Sequence, residues 1–145
     1  MNLISHYISG AEQKPSSTRT APVYDPALGT ESGRVALADA KDIKAAIDSA
    51  RLAYPAWRDS SLAKRQQIIF KCRELLNERK PELAAIITAE HGKVLSDALG
   101  EITRGQEVVE FACGMPHLLK GEYSENASTN VDVYSTKQPL GVVGI

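Results

Sequence analysis

Glu101, Arg104, Glu107 and Glu110 recur at three-residue steps inside the segment from Thr88 to Asn126. On a helix that spacing places them along one side, and two kinds of chemistry are then open to them. They can form a solvated face laced with ion pairs, each contributing about 0.2 to 0.5 kcal/mol. Alternatively, Arg104 is the working group: a guanidinium grips a carboxylate with two parallel bonds, and the row then belongs to a recognition site for an acidic small molecule. Beside the row run Leu95, Leu99, Ile102, Val109 and Cys113, spaced as a stripe that faces a core.

The other residues able to do chemistry are more isolated. Cys72 shares a helical stripe with Ile68, Ile69, Leu75 and Leu76, and Cys113 precedes Gly114 and Pro116. Neither has the neighbouring base or cation that a reactive thiolate needs, so both are expected to be small buried hydrophobes, and neither shows metal-ligand spacing. His6 and His117 stand alone. His91 lies just before Gly92, where a cation or donor suits a helix C-terminus.

The elements that must position these groups can be traced along the chain. From Leu3 to Leu37, short extended pieces (His6 to Ser9, Pro22 to Tyr24, Gly33 to Leu37) alternate with turn residues and predict a small hairpin or edge sheet. Asp39, with Asp42 three residues on, predicts the start of an amphipathic helix carrying Ile43, Ala46, Ile47 and Ala50, ending near Ala53 before Pro55. A second helix is capped by Ser60 or Ser61 and runs to about Arg79. A third carries Pro81 in its first turn and ends at Gly92, and Ser96 with Asp97 starts the fourth. Gly121 to Asn130 reads as polar loop, and Val131 to Lys137 as a strand with an exposed edge. Pro139 to Ile145 has the look of a buried parallel strand, which needs neighbours; the chain is therefore expected to be the front part of something larger.

Composition excludes several classes. With 145 residues, 43% hydrophobic and 24% charged, the chain suits a globular fold, and a net charge of −1 gives no broad basic field for nucleic acid or an anionic membrane. No apolar run approaches a membrane span and Met1 to Gly10 lacks the features of a secretion signal, so the cytoplasm is the expected location.

Tyr24-Asp25-Pro26-Ala27, the Ala53-Tyr-Pro-Ala-Trp57 turn, Glu90-His-Gly-Lys93 and the Pro139-Leu-Gly-Val-Val ending together resemble the aldehyde dehydrogenase superfamily. Within it, TAEHGKVLSDALGE, RGQEVVEFACGMPHLLKGEYSEN and VDVYSTKQPLGVV resemble the branch that oxidises methylmalonate semialdehyde and acylates coenzyme A. The resemblance implies an α/β fold built as the N-terminal portion of such an enzyme. Residues 1–123 would be the helical part of the NAD-binding domain, with a small N-terminal hairpin and four helices. Residues 124–138 would be an oligomerisation arm strand, and 139–145 the first strand of the NAD-binding Rossmann-type sheet, incomplete here.

The resemblance further implies NAD and coenzyme A as co-substrates of the complete enzyme, neither bound tightly by these residues, and a dimer or tetramer formed through the arm. In this branch a cysteine thiolate attacks the aldehyde, hydride passes to NAD, and the thioester is handed to coenzyme A with loss of carbon dioxide. The nucleophilic cysteine, the catalytic glutamate and the glycine-rich NAD loop would lie beyond Ile145, and Cys72 and Cys113 do not match the nucleophile's motif. Arg104 matches the arginine of the branch's Gly-Glu-x-x-Arg-Gly-x-Glu pattern and is the residue expected to hold the substrate carboxylate, with Gly105 leaving room beside it. Two other readings stay open: an aldehyde dehydrogenase that releases free acid, and a helical interaction module without enzymatic activity.

Overall fold

A computed structural model describes residues 2–145. Extended chain comes first: β1 (Asn2–Ile4), β2 (His6–Ile8), β3 (Ala11–Gln13), β4 (Thr20–Tyr24) and β5 (Glu31–Ala36). β2 and β3 pair antiparallel around Ser9 and Gly10, whose φ angles of 57° and 77° are the left-handed conformations a two-residue hairpin loop requires. β1, β5 and β4 form a three-stranded sheet in that order, with β1 parallel and β4 antiparallel to β5. The extended pieces expected from the sequence are present. β1 and β3 are two further short strands outside those pieces.

Four long helices follow: α1 (Ala40–Arg58), α2 (Leu62–Glu78), α3 (Lys80–His91) and α4 (Leu95–Ala112), with one further turn, α5 (Met115–Leu118). Asp39 and Asp42 form the reciprocal capping box at the start of α1, and Ser61 caps α2 by accepting from the Lys64 amide. Pro55 does not stop α1 as expected. The helix runs through it to Arg58, because a proline near the end interrupts only one ladder bond. The last turn closes through Asp59 N–H to the Pro55 carbonyl at 3.0 Å and Ser60 Oγ to the Trp57 carbonyl at 2.6 Å.

Gly92 ends α3 in the left-handed conformation, φ 81°, and its N–H bonds to the Thr88 carbonyl. A Cβ at this position would stand 3.2 and 3.3 Å from two ring carbons of Pro26. The Asp25 loop is itself pinned, since the Asp25 carboxylate accepts from the Ala27 and Leu28 amides. Two of the motifs far apart in the chain, Tyr24 to Ala27 and Glu90 to Lys93, therefore meet at the junction of α3 and α4.

The best-packed centre is small. Ala84 on α3 and Ala98 on α4 are fully buried against each other's helices with Ile102, and Leu83, Ile87 and Leu99 pack around them. The chain exposes 11013 Å², where a compact protein of its mass exposes about 7,300 Å². Apolar faces of the helices are the reason, and Ile68, Cys72, Leu75, Leu76 and Leu83 line one such uncovered groove.

Residues 123–134 correct the expected polar loop. Tyr123–Ser128 is a strand, β6, and pairs antiparallel with β7 (Val131–Tyr134), so the predicted arm strand has a local partner. Every residue of this hairpin is exposed, which removes the apolar alternation by which a strand is read from sequence. At its base a Cβ on Gly121 would fall 1.9 Å from the Ser135 carbonyl oxygen, a closeness only glycine permits. Residues 139–145 form no strand in this structure. Leu140 is 96% exposed and the segment meets no parallel neighbour among the described residues, so its amides have no ladder to join.

Candidate functional site

α4 carries the charged row, and its rotation about its own axis decides what that row can do. Ala98, Ile102 and Gln106 are buried, with Leu99, Thr103 and Val109 half-buried beside them, so one side of the helix is committed to α2 and α3. Side-chain bonds hold that rotation. Lys80 Nζ reaches Thr103 Oγ1, which itself donates to the Leu99 carbonyl at 2.9 Å. Arg73 on α2 bonds Glu110 Oε1 at 2.8 Å, Gln106 also donates to that oxygen, and Gln66 Nε2 donates to the Cys113 carbonyl at 2.7 Å.

The core stripe expected from spacing is largely present. Cys113 is buried, Ile102 is buried, and Leu99 and Val109 are partly covered. Leu95 departs from it: at the first turn of α4 it is half exposed. Cys72 departs as well. It is exposed, because the stripe it shares on α2 faces the uncovered groove and no packed neighbour.

The charged row does not behave as one ladder. Glu101 is paired with Lys93, which follows Gly92 in the turn before α4, and Glu110 is paired with Arg73. Both carboxyls lie below the usual range, Glu101 chiefly through the hydrogen bond from Lys93 and Glu110 chiefly through that from Arg73. Arg104, by contrast, is exposed and takes no hydrogen bond or ion-pair partner among the described residues. Its neighbours on the same side, Val108 and Phe111, are 68% and 70% exposed, and a Cβ on Gly105 would meet nothing within 4 Å. The helix thus presents an unpaired guanidinium beside two bare apolar side chains. Met115 is partly covered and His117 exposed at the next turn.

The local bonds made by Lys93 and Arg73 could not be read from the row itself. Both partners come from outside α4, one from a turn and one from another helix. The left-handed Gly92 was the available signal for Lys93, since a chain reversal there brings the next side chain alongside the helix that follows. Gln106, buried on the packed side, was missed because a polar residue breaks the apolar period.

Comparison with known proteins decides what kind of chain this is. The model of the aldehyde dehydrogenase family matches residues 13–145. This chain belongs to the aldehyde dehydrogenase family. It is 45% identical to malonate-semialdehyde dehydrogenase of Pseudomonas aeruginosa over 143 residues, 99% of this chain and 29% of that protein. The human mitochondrial acylating methylmalonate-semialdehyde/malonate-semialdehyde dehydrogenase is 38% identical, over 94% of this chain and 25% of its own length.

Among solved structures, methylmalonate-semialdehyde dehydrogenase of Oceanimonas doudoroffii superposes with a TM-score of 0.91 at 41% identity, covering 97% of this chain and 28% of that one. A Sinorhizobium meliloti protein described as a methylmalonate-semialdehyde dehydrogenase, crystallised with NAD, superposes at 0.92 with 41% identity, over 97% of this chain and 29% of its own. The α/β arrangement of small sheets and helices is that of the N-terminal part of these enzymes. The chain spans less than a third of the length of these relatives.

Proposed function

We propose that these 145 residues form the N-terminal part of an NAD-dependent, coenzyme A-acylating dehydrogenase of malonate and methylmalonate semialdehydes, and that Arg104 holds the substrate's carboxylate. The observation that carries the reading is the pairing pattern on α4. Glu101 and Glu110 each have a cation supplied from another element, whereas Arg104 is left without an anion next to Val108 and Phe111. If further protein covers that apolar face, water leaves and an unpaired guanidinium there becomes costly, so the surroundings must include an anion. A substrate whose carboxylate lies next to the carbon bearing the aldehyde supplies one, and the fork of Arg104 orients it by two bonds. Gly105 leaves the space beside that fork open.

The relatives' names support this substrate class, since malonate and methylmalonate semialdehydes are what those proteins oxidise. The exposed β6 and β7 hairpin fits an arm that docks on a second subunit in a dimer or tetramer, and a cytoplasmic location accords with the composition. NAD supplies the hydride acceptor of this reaction class. No step of that chemistry is assigned to residues 2–145.

Product analysis of the complete enzyme tests the assignment. Malonate semialdehyde with NAD should yield acetyl-coenzyme A only when coenzyme A is present. Free malonate formed at the same rate without coenzyme A would instead place the enzyme among dehydrogenases that release the acid.

A further inference from the structure

We propose that Lys93 is a positioning residue for substrate selectivity: by engaging Glu101, it keeps that carboxylate from neutralising Arg104. The inference rests on the carboxylate role of Arg104 argued above. Arg104 has two acids of its own helix within one turn, Glu101 before it and Glu107 after it. These are not equivalent competitors. An acid N-terminal to its cation makes the better pair along a helix, so Glu101 is the one placed to close on Arg104, and Glu107 has the less favourable order.

The structure removes the stronger competitor. Lys93 Nζ lies 2.5 Å from Glu101 Oε1, and the Lys93 side chain is only 16% exposed, packed in the turn after Gly92. A half-buried ammonium needs a counter-charge more than an exposed guanidinium does, and this fixes the choice of partner for Glu101. The charge of Arg104 still acts on Glu101 at longer range, without a bond between them. The cation at 104 consequently remains available to an anion that arrives from outside the helix.

The experiment is steady-state kinetics of the complete enzyme with malonate semialdehyde and with propionaldehyde, which lacks the carboxylate. Lys93→Met should raise KM for the semialdehyde about 1.5- to twofold, the size of one helix pair that the substrate must displace, with kcat and the propionaldehyde KM unchanged. Lys93→Met combined with Glu101→Gln should restore the semialdehyde KM, because the freed competitor is then uncharged. Lys93→Gln keeps a donor toward Glu101 without the charge, and gives the same selective effect at smaller size should Lys93→Met not fold. Equal loss on both aldehydes, or failure of the double variant to recover, would overturn the role of Lys93. Arg104→Leu serves as the control that separates the two claims. If it costs the semialdehyde selectively while Lys93→Met and Lys93→Gln do not, only the positioning role is lost. If Arg104→Leu shows no selectivity, the carboxylate reading itself is wrong.

Discussion

Alanine at Gly92 and alanine at Gly105 should move stability in opposite directions. At Gly92 the backbone is left-handed, φ 81°, and a side chain there costs about 1 to 2 kcal/mol from its Cβ alone. The new methyl would also stand 3.2 and 3.3 Å from the Pro26 ring, which is held by the Asp25 loop and cannot retreat freely. A further shift of the loop or of α3 brings the expected loss to about 1 to 3 kcal/mol. For a chain of this size that is a fall in Tm of roughly 3 to 9 °C. At Gly105 the helix interior is regular, a Cβ would meet nothing within 4 Å, and alanine should stabilise by about 0.5 to 1 kcal/mol. Urea denaturation of the two single variants, followed by far-ultraviolet circular dichroism, reads both signs. Unchanged stability of Gly92→Ala would refute the account of the α3 and α4 junction. Destabilisation by Gly105→Ala would refute the placing of that position on an open helix face.

Other outcomes follow from the same geometry. A colorimetric disulfide reagent should titrate Cys72 quickly in the native chain and Cys113 only on unfolding, because the first is exposed and the second buried; two fast equivalents would contradict this. Stability should hold from neutral pH down to about pH 5 and then decline. The carboxyls of Glu101, Glu110, Asp39 and Asp132 are lowered in the folded state by bonds from Lys93, Arg73, Ser16 and Tyr123. Their contribution is complete above the unfolded value near 4 and is lost as pH falls through the folded ones. A urea midpoint that rises on acidification below pH 5 would show the sign to be wrong. The purified 145-residue chain should neither reduce NAD with an aldehyde nor form acyl-coenzyme A, since neither cysteine sulfur is bonded to a base among the described residues. Turnover abolished by Cys113→Ser would contradict that expectation.

How far the fold could be read depended on local chemistry. Asp39 with Asp42, Ser61, Pro81 and Gly92 each satisfy or end a helix through their own bonds or backbone preference, and the structure has each in that role. β6 was invisible because Tyr123 to Ser128 buries no face, and strand patterns are patterns of burial. Periodicity locates apolar faces without saying what covers them, so it places Cys72 and Leu95 in a core, and both lie exposed. The usual effect of proline on a helix interior predicts a stop at Pro55, yet it stands close enough to the end of α1 for the last turn to close around it. Arg104 shows both sides of this. Its position on the helix followed from spacing, while the diversion of Glu101 to Lys93 depends on a turn that folds back along α4.

The carboxylate role of Arg104 is the central claim, and Arg104→Leu in the complete enzyme tests it most directly. The ratio of kcat/KM for malonate semialdehyde to that for propionaldehyde should fall by about ten- to a hundredfold, the loss of a charged hydrogen bond of about 1.5 to 3 kcal/mol, with propionaldehyde oxidised as before. An equal loss on both aldehydes, leaving that ratio where it was, would contradict it.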